Sequence, residues 1–325
     1  TIILTDMSNA TLRVAEIPRE LAGRRLDQAL AAVFPDITRS QLQQWIMAGR
    51  ISVDQRLPRK RDKVVGGERV EIHLPPPIEG SPAAESIPLD VVYEDASLLV
   101  INKPAGLVVH PGAGNPRGTL LNALLHHAPE LARLPRAGIV HRLDKDTSGL
   151  MVVAKTERAR QRLTRDLEAR RIKRDYVAIV QGVMITGGTI DAPIGRHRVE
   201  RTRMTVTERG RHAVSHYRVM KKYRAHTLVQ VSLESGRTHQ IRVHLAHLRF
   251  PVVGDPVYGG RLRIPKAASS ALAEHVRGFK RQALHAAKLT LEHPETSAEL
   301  RWATSVPPDM AELMEALEAD AKLER

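Results

Sequence analysis

The stretch HRLDKDTSGLMVVAK, residues 141–155, decides how the chain is read. Its second half, GLMVVAK, is a short continuous apolar run of the kind that forms a buried strand. Its first half crowds two carboxylates (Asp144, Asp146) and three bases (His141, Arg142, Lys145) at the mouth of that strand, beside a Thr147-Ser148-Gly149 turn. Loops at strand ends present functional side chains on a rigid frame. A carboxylate there can act as nucleophile or general base. The alternative is that Asp144 and Asp146 only make local turns with the Thr147 and Ser148 hydroxyls.

Further strand signals lie outward from this run: VVYED, LLVINK, GLVVH, RDYVAIVQ, AVSHYRVMKKY, TLVQVSLE, ALHAAKLTLE and ELRWATS. Helical patterns are fewer, namely TLLNALLHH, TERARQRLTRDLEARR and the terminal PPDMAELMEALEADAKL. Strands outnumber helices and do not alternate regularly with them. That pattern predicts an α+β fold with a large mixed, mainly antiparallel sheet over residues 89–325, and argues against a doubly wound α/β fold.

A small α+β unit is expected ahead of it, over residues 23–74. Leu26, Leu30 and Val33 recur at helical spacing, and a second helix is expected at 39–48, with Thr38 and Gln41 as a capping box and Gly49 as its stop. ISVDQRL reads as a short strand and turn, and ERVEIHL as a half-buried strand. Residues 1–22 read as a loosely held lead-in strand and loop. PPPIEGSPAAESIP, residues 75–88, holds five prolines and reads as a semi-rigid linker.

The chain has 325 residues, with 50 Lys plus Arg against 36 Asp plus Glu, a net charge of +14. Such an excess favours a polyanionic partner, most often nucleic acid. Between residues 50 and 63 stand six basic residues and two acidic ones. Arg50, Arg56, Arg59, Lys60, Arg61 and Lys63, with Arg39 on the second helix, are therefore the expected RNA-contacting face. With 3% aromatic residues, rows of stacking side chains are not expected, and arginine carries most of the contact. There is no cysteine, which excludes disulfides, thiolate nucleophiles and cysteine-ligated zinc. No apolar run approaches the ~18 residues of a membrane span, and no signal-peptide pattern opens the sequence, so a cytoplasmic protein without membrane contact is expected.

GRTHQIRVHLAH, residues 236–247, is the second dense run. Arg237 follows a glycine turn and could pair with a carboxylate elsewhere. His239, His244 and His247 do not converge as a ligand set, since His239 falls off the face that the other two share; no metal is expected, and structural histidines are. HPGAGNPRGT, residues 110–119, lacks the Gly-Lys-Ser/Thr of a P-loop and the GxGxxG of a dinucleotide site, and reads as a shaped loop. Tyr176 in KRDYVAIV reads first as a core tyrosine.

Taken in order, INKPAGLVVH, IVHRLDKDTSGL, KRDYVAIV and ESGRTHQIRVH resemble the signatures of the ribosomal large-subunit pseudouridine synthases of the RluA family. The front unit resembles the S4-type RNA-binding domain that precedes many members. The likeness covers Gly23 to Pro308, and Ser235 is a mild departure from the threonine expected there. It implies conversion of uridine to pseudouridine in large-subunit rRNA or a pre-ribosomal large subunit, with no cofactor, by a monomer. It implies that Asp144 is the essential aspartate, that Tyr176 packs on the base and is a candidate for removing the carbon-5 proton, and that Arg237 pairs with Asp144. It places Ile241 under the uracil and makes Arg142 the residue that fills the gap when the base flips out. VVHPGAGNPRGTLLNALLHH and AGIVHRLDKDTSGLMVVAKT resemble one branch of the family most, which implies targets in the helix-69 stem-loop. A synthase acting on small-subunit RNA or tRNA, a non-catalytic assembly factor and a glycosidase-like hydrolase are the rival readings. The last would need a second well-placed acid.

Overall fold

The computed structural model describes residues 3–7, 10–35, 37, 39–73, 82–112, 114–200 and 202–323. The chain divides into two compact units at Ser81/Pro82.

In the first unit, helices α1 (Leu26–Val33) and α2 (Arg39–Met47) pack on a four-stranded sheet of β1 (Ile3–Met7), β2 (Ala10–Glu16), β3 (Ile51–Val53) and β4 (Arg69–His73), in the order β1-β2-β4-β3. The core forms from Leu26, Leu30, Phe34, Leu42, Ile51, Val70 and Ile72. β4 buries Val70 and Ile72 and turns Arg69 and His73 outward, so the alternation seen in ERVEIHL is that of a strand with one covered face. The lead-in does hold a strand, but it is not loosely held. Ala10–Glu16 pairs with β4 from Leu12↔His73 to Glu16↔Arg69, which makes this segment an integral strand. The short sheet would otherwise leave the ladder groups of β4 unpaired. The capping box expected from Thr38 and Gln41 lies outside the described residues and side chains.

In the second unit, β5 (Val91–Glu94), β6 (Leu98–Lys103), β7 (Ser148–Ala154), β8 (Lys173–Gln181), β9 (Gly188–Asp191), β12 (Val214–Lys222), β13 (His226–Leu233), β14 (Leu284–Glu292) and β15 (Glu299–Ala303) form one sheet. A separate hairpin joins β10 (Ile194–Arg196) to β11 (Met204–Val206). The order in the large sheet is β5-β6-β7-β14-β8-β13-β12-β9, with β15 on β14, and the β7–β14 pair is parallel in an otherwise antiparallel sheet. Helices α3 (Leu120–His127), α4 (Glu157–Glu168), α5 (Gln240–His247), α6 (Ser270–Gly278) and α7 (Pro308–Lys322) cover it.

This architecture explains the unbroken apolar run of GLMVVA. Met151 and Val153 pack into a core with Leu124, Leu245 and Leu313, while Leu150, Val152 and Ala154 pack against Leu163 on the opposite face. A strand covered on both sides has no reason to alternate. Gly149 stands at its entrance with φ +116°, where an added Cβ would lie 2.3 Å from the Ala286 carbonyl oxygen. Only glycine lets β14 come this close.

Two sequence expectations change here. GLVVH makes one isolated bridge, Val108 to Thr119, and no strand. Part of the expected linker is fastened to the second unit: Asn122 donates to the Ala83 carbonyl at 2.7 Å, and the Glu85 N–H donates to the Asn122 carbonyl at 3.0 Å. Asn122 also completes a capping box with Thr119 at the start of α3.

Candidate active site

Asp144 sits in the short loop that enters β7, on the wall of a cavity of about 940 Å³ in the second unit. Three contacts fix this loop. The Thr147 N–H donates to the Asp144 carbonyl at 3.1 Å. Gln282, just before β14, donates to the Thr147 hydroxyl at 3.0 Å, and the Ser148 hydroxyl bonds the His285 ring at 2.9 Å. The Thr147 and Ser148 hydroxyls therefore tie the loop to β14, and the reading of local turns onto Asp144 and Asp146 gives way. From below, the buried Lys103 ammonium donates to the carbonyls of Pro104, Leu107 and Lys145 at 2.7, 2.9 and 3.0 Å. Burial pushes the Lys103 pKa down to about 7, against the pull of Asp146 and Asp144. The INKPAG stretch thus braces the loop that carries Asp144.

The cation on Asp144 is Arg242. Its Nη1 donates to Asp144 Oδ2 at 3.0 Å, while Nε and Nη2 donate to the two oxygens of the buried Asp255 at 2.7 and 2.8 Å. Its guanidinium carbon lies 5.0 Å from the centre of the Tyr258 ring. Burial alone would raise the Asp255 pKa, but the hydrogen bonds and charge of Arg242, with the Tyr258 and Val257 N–H groups, together outweigh it and hold this carboxyl below the usual range. The pairing expected of Arg237 is therefore not made. Arg237 precedes α5, and its Nε donates to the His212 carbonyl at 3.2 Å. Arg242 lies in the first turn of α5, where its side chain reaches both carboxylates. The signal for it was an arginine between Ile241 and Val243 in an otherwise buried helix, since a buried guanidinium requires acidic partners.

The remaining expected residues line the same cavity. Tyr176 is 5% exposed, and burial raises its hydroxyl pKa; Arg174 opposes that rise and Asp144 adds to it. Tyr176 is therefore a neutral phenol near neutral pH. Ile241 is buried on α5. Arg142 is exposed and forms no hydrogen bond or ion pair among the described residues. His239 takes a left-handed conformation, bonds the Tyr258 hydroxyl at 2.8 Å and holds Nε2 3.9 Å from Asp144 Oδ1. His244 is a structural histidine, with one ring nitrogen on Ser215 and the other on the Ala192 carbonyl.

In the first unit, Arg39 has a partner. It donates to the buried Asp27 at 3.0 and 2.8 Å, alongside Arg25 and Gln43. Burial would raise the Asp27 pKa, and these donors bring it below the usual value. Arg56, Arg59, Arg61 and Lys63 are exposed, Arg50 and Lys60 are half-buried, and none of the six makes an ion pair among the described residues.

The mixed α+β sheet frames a cavity with an aspartate clamped by a buried arginine, and the chain belongs to the RNA pseudouridylate synthase family. Residues 97–247 match that family and residues 24–70 match the S4 domain. The chain is 54% identical over 314 residues to the ribosomal large subunit pseudouridine synthase D of Pseudomonas aeruginosa, covering 97% of this chain and 98% of that one. It is 52% identical over 315 residues to the protein of the same name from Escherichia coli K12, covering 97% of each. The solved structure of human RNA pseudouridylate synthase domain containing 4 superimposes with a TM-score of 0.55 at 28% identity, over 70% of this chain and 92% of that one. Among the described residues, no helix is long and apolar enough to cross a membrane.

Proposed function

We propose that this chain converts uridine to pseudouridine in large-subunit rRNA, with the helix-69 stem-loop as its target. The observation that carries the reading is the Arg242–Asp144 pair, set in a cavity with Tyr176 and Ile241. The reaction breaks the bond from ribose to uracil N1, turns the base and rejoins it through C5. Arg242 occupies Asp144 Oδ2, which leaves Oδ1 to meet the sugar, either as nucleophile or as base. Ile241 supplies an apolar surface for the uracil. Tyr176 is placed to pack on the base and to take the C5 proton in the final step. Because it is a neutral phenol in the free protein, it must pass its own proton on before it can do so. Arg142, at the mouth with an uncommitted guanidinium, fits the role of filling the space of a flipped uridine. Asp144, Tyr176 and Arg242 are the proposed catalytic group. Arg237 is reassigned to shaping the turn before α5. The basic segment of the first unit is proposed to hold RNA through phosphate contacts.

Mapping pseudouridine across large-subunit rRNA from cells with and without the chain tests this reading. Loss confined to helix 69, restored by the wild-type chain and not by Asp144→Asn, is the expected result. Loss at another site, or in tRNA, would move the target, and no loss would remove the assignment.

A further inference from the structure

Arg174 is a buried cation that the proposed chemistry leaves unused. It lies on β8 two residues before Tyr176, so both side chains leave the same face of the strand and both line the cavity that holds Asp144. The residue is only 8% exposed, and its Nε is enclosed with no hydrogen-bond partner. No other nitrogen of its guanidinium has a partner among the described residues. The nearby carboxylates are committed elsewhere: Asp175 to Ser232, Glu234 to Arg170 and His216, and Asp144 to Arg242. Glu168, on the rim, is exposed and makes no bond to Arg174. The neighbouring His141 is no counter-ion, since an imidazole is neutral or cationic, and burial with Arg174 itself pushes its pKa down to about 3 and keeps it neutral.

A buried guanidinium without an anion is costly, so a fold that keeps one has an anion to receive. The surroundings leave room for it. Gly236 faces the Arg174 head, and a Cβ there would stand 3.0 Å from Nη1. We propose that Arg174 is a phosphate-binding residue: it takes a phosphodiester oxygen of the RNA strand next to the flipped uridine and anchors that nucleotide over Tyr176 and Asp144. This rests on the reading that RNA enters this cavity. A planar guanidinium whose two terminal amino groups have no partner among the described residues matches a phosphate in a two-pronged contact, which a point charge does not reproduce.

The test uses the full chain and a helix-69 stem-loop RNA, with binding measured across salt concentrations. Arg174→Gln is expected to weaken binding about 10- to 100-fold, the range of one lost charge-assisted contact. It should also lower the log–log salt slope by about 0.7 to 0.9, one phosphate. Arg174→Lys should keep the slope and recover part of the affinity. Single methylphosphonates, placed at each linkage from two before to two after the target uridine, identify the partner. At one linkage the wild-type chain should lose a comparable factor, and Arg174→Gln should lose nothing more there. An unchanged slope, or losses that add at every linkage, would overturn the proposal and leave Arg174 acting on the base or on the fold. Should the Gln variant unfold by circular dichroism, the same linkage scan with the wild-type and Lys chains decides, since the two must differ least at the contacted phosphate. A wild-type chain that binds none of these RNAs would instead refute the RNA reading on which the proposal rests.

Discussion

At the scale of single residues, the site depends on one arginine held between two carboxylates. Removing it strands Asp255, whose side chain is fully buried. Arg242→Ala should therefore destabilise the fold by about 3–5 kcal/mol, the usual cost of an uncompensated buried charge. Adding Asp255→Asn should recover much of that stability and none of the activity, as denaturant unfolding and pseudouridine formation would show. Arg237→Ala, which removes only a bond to a backbone carbonyl, should stay within about 1 kcal/mol of wild type. A loss from Arg237→Ala as large as that from Arg242→Ala would return the catalytic pairing to Arg237. Tyr176→Phe keeps the ring and removes the proton acceptor. It should bind RNA normally while release of tritium from 5-labelled uridine falls more than 100-fold, and normal release would limit Tyr176 to packing. Arg142→Ala should slow turnover strongly on a structured stem-loop and much less on a short unstructured RNA, because flipping costs a few kcal/mol only where stacking must be broken. Equal defects on both RNAs would assign Arg142 to Asp144 rather than to the base.

At the scale of elements, the parallel seam between β7 and β14 is what aims the loop. Gly149→Ala puts a methyl group against the Ala286 carbonyl and a β-carbon at φ +116°. The variant should lose well over 1 kcal/mol and turnover together. Two histidines flank this region, His285 buried on β14 and His141 half-buried just before β7. Burial lowers the pKa of His285 to about 4 and that of His141 to about 3. The Val152 N–H donates to His141 Nε2, so protonation there would also break a strand contact. The unfolded chain takes up these protons near pH 6.5 and the folded one only well below. Stability from these residues is therefore complete above about pH 6.5, declines as the pH falls below it, and levels off below about 4 for His285 and about 3 for His141. Denaturant midpoints should fall between pH 7 and pH 4.5, with a shallower fall in His285→Gln. An equal fall in that variant would show that His285 does not titrate as its burial implies.

At the scale of the whole molecule, Pro82–Arg325 has its own cores and its own site, and Ala83 and Glu85 are bonded within it. Removal of residues 1–81 should leave a folded catalytic unit with weaker RNA binding. Its log–log salt slope should be smaller by about 0.7 to 0.9 for each lost phosphate contact. An unchanged slope would mean that Arg50 to Lys63 is only a solvated face.

Much of this was legible in the sequence because it is local. The apolar run after Gly149 announced a buried strand, the alternation of Val70 and Ile72 announced one with a single covered face, and the charge at residues 141–146 marked a loop that lies on the cavity wall. Short-range periodicity and composition record burial directly, so these readings needed no partner. What the sequence could not show was which distant groups meet. Arg237 and Arg242 are equally basic on paper, and only the helical phase of α5 turns Arg242 toward Asp144 and Asp255. The lead-in gave no sign of pairing with β4, because a strand's partner lies in another segment. The unpartnered state of Arg174 likewise appears only once every nearby carboxylate has been located in three dimensions. Local burial is written along the chain, and long-range pairing of charges is decided by the fold.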